Sequence, residues 1–209
     1  MKDRLLFFGA ALIGITFLLV IALSWLQPAA RSGTQTRSQM DGLPMQLQAL
    51  ESALTAAETL DAWKTSWAED AEIVTAAATI YHGEDAAQPW SFQIYSKDRR
   101  KIATVVVRGQ DVRMLQQQAA LYQQQPLART DWEIDSETVL ADWWQIHGDV
   151  LWSKMDGGSL SLHLSTYSST GTPTWRITAL TSSSTPLAIL EIRADTGERI
   201  SQDHAGGQE

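Results

Sequence analysis

Apolar residues are spread unevenly along this 209-residue chain. Residues 5–26, LLFFGAALIGITFLLVIALSWL, contain no charge. A helix rising about 1.5 Å per residue over such a run crosses roughly the 30 Å hydrocarbon core of a bilayer. The run therefore predicts one transmembrane helix after a flank at residues 1–4, with Leu5, Phe8, Gly14, Phe17, Leu19 and Trp25 as anchor residues. Trp25 stands at the far end, where an indole favours the headgroup boundary. A cleaved secretory signal is the competing reading, but its apolar region is shorter and ends in a small-x-small site. Gln27-Pro28-Ala29-Ala30 matches that site poorly. No cysteine follows, which excludes a lipoprotein signal.

Beyond the run the pattern becomes that of a folded body. Residues 27–41 are rich in Ser, Thr, Gln and Gly without apolar period and read as a flexible tether. Leu43, Leu47, Leu50, Leu54, Ala57, Leu60, Trp63 and Trp67 then recur at three- and four-residue steps, the stripe of an amphipathic helix. Three β-prone segments follow at 72–81, 90–96 and 101–108, separated by polar turns, and 112–115 resumes as a short strand. A glutamine-rich stretch around Gln116-Gln117-Gln118 and Gln123-Gln124-Gln125 covers the body or connects its halves.

The arrangement then recurs. Asp135 or Ser136 can cap a helix carrying Val139, Leu140, Trp143, Trp144, His147, Val150 and Leu151. Gly157-Gly158 opens a strand in which Leu160, Leu162 and Leu164 alternate with Ser161, His163 and Ser165. Two more strands, at 174–181 and 187–193, precede an Asp195-Thr196-Gly197-Glu198 turn and a loose tail at 202–209. The expectation is an α+β protein: one transmembrane helix followed by two separate helix-plus-antiparallel-sheet (α-β-β-β) modules. The modules occupy residues 42–115 and 132–201, joined by a connector at 116–131, with Trp90 and Trp175 in equivalent second strands.

Several local stretches carry a family resemblance. They are Trp67-Ala68-Glu69-Asp70-Ala71-Glu72-Ile73 leading into a strand, Trp90-Ser91-Phe92, Trp132-Glu133-Ile134-Asp135-Ser136, Trp175-Arg176-Ile177, and Ile192-Arg193-Ala194-Asp195-Thr196-Gly197-Glu198. Together they resemble the PepSY-type domain, a small helix-plus-antiparallel-sheet module, over roughly residues 43–201 as two copies. The resemblance implies binding or restraint of partner proteins and no catalytic constellation.

Composition narrows the chemistry further. With no cysteine, thiolate zinc sites, iron–sulfur clusters and cysteine nucleophiles are excluded. A net charge of −8 argues against nucleic acid as a partner, since phosphate binding needs a basic face. Beyond residue 4 the chain holds 14 basic and 23 acidic residues, about −9, which anionic lipid headgroups repel. His82, His147, His163 and His204 show no metal-ligand spacing, and His163, opposite the leucine face, is expected to meet solvent. There is no Gly-x-Ser-x-Gly elbow or phosphate loop, and the acidic clusters Glu69-Asp70-Glu72 and Glu84-Asp85 read as solvated ends and turns.

Eight of the nine tryptophans lie in the body, where indoles fill space between helix and sheet. Trp143 and Trp144 point about 100° apart on one helix, so at least one is a candidate interface residue. Ala10 and Gly14 form a small-xxx-small pair at which another membrane helix can approach. Lys2 and Arg4 lie directly against the apolar run and place the N-terminus in the cytoplasm. The sequence thus predicts a single-pass protein of the cell membrane, its folded part periplasmic or extracellular. Its expected role is that of a non-catalytic accessory or scaffold subunit of a bacterial membrane complex. It needs no cofactor and has the membrane and other subunits as partners. A free-standing regulator of a protease or envelope enzyme is the alternative, and a small-molecule carrier a further one.

Overall fold

A computed structural model describes residues 43–84, 88–166 and 171–204. The predicted membrane segment and tether, with every anchor residue and the Ala10/Gly14 pair, lie outside the described residues. Among the described residues no helix is long and apolar enough to cross a membrane.

The first helical stripe is split. A short helix α1 (Met45–Gln48) is followed by α2 (Ala53–Trp67). Ser52 restarts the helix because its side chain accepts the Thr55 N–H at 3.2 Å, satisfying a donor that has no partner within the helix. Leu43, Leu47 and Leu50 remain buried across the break. Along α2 the buried residues Ala53, Ala56, Ala57 and Leu60 are mostly small, which allows close approach to the sheet. Ala68, in extended conformation, ends the helix.

Four strands follow: β1 (Glu72–Tyr81), β2 (Trp90–Ser96), β3 (Lys101–Arg108) and β4 (Asp111–Ala119). After a connector comes α3 (Ser136–Lys154), then β5 (Ser159–Thr166), β6 (Pro173–Leu180), β7 (Pro186–Arg193) and β8 (Arg199–His204). The strand order is β4-β3-β2-β1-β5-β6-β7-β8, and every neighbouring pair is antiparallel.

This order corrects the expected fold class. In place of two separate three-stranded modules there is one eight-stranded sheet, because β1 pairs with β5 over seven residue pairs from Thr75↔Ser165 to Tyr81↔Ser159. Both strands alternate small or apolar residues with hydroxyl residues, so this register keeps Ala76, Ala78 and Ile80 on the same face as Leu164, Leu162 and Leu160. Each half also has a fourth strand. β4 absorbs Gln116–118 from the predicted connector, and β8 reaches His204, inside the predicted tail.

One core runs across the six inner strands, joining Val105, Phe92, Ala76, Leu164, Trp175 and Ile192 to the buried sides of all three helices. Gly158 is required where the chain enters β5, since a Cβ there would lie 2.1 Å from the Leu180 carbonyl oxygen.

The two halves repeat at atomic detail. Trp90 donates its indole N–H to the Glu51 carbonyl at 2.7 Å, and Trp175 donates to that of Ile134 at 2.8 Å. Both acceptors immediately precede a helix cap, Ser52 in one half and Asp135 in the other. The caps meet. Asp135 accepts from Ser136 N at 2.7 Å, from Leu54 N at 3.2 Å and from the Ser52 hydroxyl, while Ser136 Oγ accepts from Ala53 N at 3.0 Å. One carboxylate therefore serves two helix N-termini, where partial positive charge favours an anion. Beneath it the Trp90 and Trp175 rings meet edge-on at 6.0 Å, and Trp132 meets Trp175 at the same spacing.

Candidate interaction surface

The helices cover one face of the sheet, and strand alternation places a second set of side chains on the other. The cross-strand row through its middle runs Arg113, Val106, Ser91, Ala77, His163, Arg176, Glu191, Ser201. The neighbouring row runs Gln116, Thr104, Gln93, Thr75, Ser165, Thr174, Arg193. The second row is mostly hydroxyl and amide, while the first sets Arg113, His163, Arg176 and Glu191 among smaller residues; Ala77, Ser91, Thr104 and Thr174 within the two rows are buried. Exposed Arg113 and Arg176 and the half-buried Gln93, Gln116, Ser165 and Ser201 leave hydrogen-bonding groups along this face, as an extended macromolecular contact requires.

Electrostatics divide this face. On the β5–β8 side Arg176 lies 3.4 Å from Glu191, which accepts the Ser201 hydroxyl at 2.8 Å. Arg193 makes a two-pronged contact with Asp195 at 3.0 and 2.7 Å. Hydrogen bonding from Arg193 holds the Asp195 carboxyl below its ordinary range. His163, expected in solvent, does lie opposite the leucines but is half-buried between Ala77 of β1 and Arg176 of β6. Burial first, and then Arg176, push its pKa down to about 4, so the ring is neutral at physiological pH.

The β4 edge has a different character. Seven large apolar side chains are exposed among the described residues, and four belong to β4 or the segment just after it: Met114, Leu115, Leu121 and Tyr122. Leu121 is 90% exposed and Tyr122 62%. No residue from Met114 to Ala128 carries a charge. β4 pairs only with β3, leaving its outer backbone groups facing no other described strand.

Of the predicted interface residues, Trp143 belongs to the core and Trp144 is partly buried against it. Trp144 meets Trp152 edge-on at 6.4 Å, and Trp152 lies 4.9 Å from His82. A backbone break at Gly148 (φ 41°, ψ −146°) lies between these two indoles. Among the described residues no three His, Cys, Asp or Glu side chains gather as metal ligands. Sequence reasoning did not single out the β4 edge, although the uncharged glutamine run with Leu121 and Tyr122 was the available signal.

The arrangement defines a class by its architecture: a tandem antiparallel sheet with the described helices on a single face. No protein-family model matches the chain, that of the PepSY type included, and no curated protein matches it. Among solved structures it is similar to the crystal structure of a protein described as a "putative lipoprotein" from Clostridium difficile 630. That likeness has a TM-score of 0.47 and 8% identity, over 70% of this chain and 90% of the other. At that score no role is carried across.

Proposed function

We propose that the protein is a non-catalytic interaction module held at a membrane by its apolar N-terminal run. Its folded part lies outside the cytoplasm and braces protein subunits of a larger membrane assembly. The observation that carries this reading is the sheet face that no described helix covers, where Arg176 and Thr178 of β6 reach the surface beside the polar row of Gln93, Thr75 and Ser165. The apolar run of residues 5–26 and the acidic body support attachment through the run rather than through surface charge.

The test is native detergent extraction of the full chain, with mass spectrometry of what accompanies it, repeated for Thr178→Arg. Thr178 lies on the helix-free face opposite Ser161 and Ile189. Recovery of the same subunits with the parent chain and their loss with the variant, at unchanged circular dichroism, is the expected result. A chain that fractionates with soluble protein, or an accompanying set indifferent to the substitution, overturns the reading.

A further inference from the structure

We infer that β4 is a self-association edge, pairing antiparallel with β4 of a second copy of this chain about a two-fold axis near Gln117. An edge strand leaves a row of N–H and C=O groups open, and proteins usually block it with lysine, proline, inward charge or short length. β4 has nine residues and one irregularity, at Leu115, which is skipped between the pairs Met114–Val105 and Gln116–Thr104; from Gln116 to Ala119 the ladder is regular, with no lysine, proline or charge. The opposite edge, β8, has six residues and begins with Arg199, which reaches Asp142 of α3 at 3.6 Å.

Charge selects a second copy as the occupant. Two chains of net charge −8 repel one another over most of their surface. The edge from Met114 to Ala119 is neutral, so two such edges can meet without opposing like charges. Pairing about Gln117 sets Gln116 opposite the partner copy's Gln118, and Gln117 opposite its own equivalent. An amide both donates and accepts, so it is its own complement across a two-fold axis. Gln117 already accepts the Trp67 indole N–H at 3.3 Å, which holds the side chain in place while its NH2 remains a donor. The register also sets Leu115 opposite Ala119 and brings Leu121 and Tyr122 alongside the partner's β4, covering the exposed apolar cluster.

The inference goes beyond the proposed function and stands without it, because it concerns the outer backbone edge of β4, whereas the docking face is tested at Thr178 of β6. The absence of cysteine makes the test direct. Gln117→Cys in the full chain, purified in mild detergent and mildly oxidised, is expected to form a disulfide-linked dimer. Val150→Cys, exposed on α3, is expected to give at least tenfold less. Gln117→Lys, which sets two like charges against each other, should lower the protein mass measured by light scattering from two chains to one. Equal cross-linking by both cysteine variants, or a single-chain mass for the parent at every concentration, overturns the inference. So does a dimer unaffected by Gln117→Lys, which would place association elsewhere, or cross-linking of Gln117→Cys to a different protein.

Discussion

The two halves of the sheet share one plan and finish their edges differently. In the β5–β8 half the outer strands are laced by ion pairs, Arg176 with Glu191, Arg193 with Asp195 and Glu198, and Arg199 with Asp142. In the β1–β4 half the outermost strand carries glutamines and exposed apolar side chains. The inner architecture explains why both finishes are tolerated. Trp90 and Trp175 tie each half to the chain just before its helix, and Asp135 ties the helices to each other. Stability therefore resides at the seam, which leaves the edges open to other uses.

The comparison can be broken at the seam. Trp175→Ala removes a fully buried indole that meets both Trp90 and Trp132, and should cost about 3–5 kcal/mol in chemical denaturation. Trp90→Ala should approach this loss; if it is silent, the halves are not equivalent. His163 gives a pH-dependent contrast, because the first half has no histidine in its sheet strands. Its folded pKa of about 4 lies below the unfolded value near 6.5, so protons bind the unfolded chain more readily between these values. Stability is unaffected above pH 6.5 and falls as pH drops toward 4, by up to about 3 kcal/mol. His163→Gln should remove that slope in melts recorded from pH 7 to 4.

Smaller effects sharpen the comparison. Asp135→Ala should cost about 2 kcal/mol because it uncaps α3 and strips acceptors from α2, whereas Ser52→Ala should cost about 1 kcal/mol. Equal losses in thermal melts would mean that Asp135 serves only its own helix. Gly148→Ala forces a side chain into a backbone region reserved for glycine and should cost about 1 kcal/mol. Its effect should be confined to the second half, since α2 of the first half has no such break within it, and amide exchange in α3 would show it.

Much of this design was legible as periodicity. The leucine alternation at 160, 162 and 164 marked β5, and the hydrophobic steps from Leu43 to Trp67 marked the first helical region. The break inside that region was missed because Leu47 and Leu50 stay in phase across it, although Ser52 was a readable cap. β4 was read short because an edge strand exposed on both faces has no alternation to detect. The end of β8, from Gln202 to His204, falls in the expected tail. The seam was invisible for a different reason: pairing Ala77 with His163 joins residues distant in sequence, and no local pattern records it. Tryptophan counts pointed to the core, but only the structure distinguishes buried Trp143 from its partly exposed neighbour.

That distant pairing also orders the assembly of the molecule in time. Each half folds its strands by hairpins between consecutive segments, whose loops are cheap to close. The β1–β5 ladder must wait for a far larger loop and so forms late. Until it closes, both strands expose an edge rich in alanine, threonine and leucine. A second chain in the same state offers the identical complement, so exchange of whole halves between two chains is the misassembly this topology invites. The shared carboxylate of Asp135 does not discriminate between the two outcomes, because in an exchanged pair it caps α2 of the other chain equally well. Closure within one chain is favoured by the lower entropic cost of an intramolecular loop.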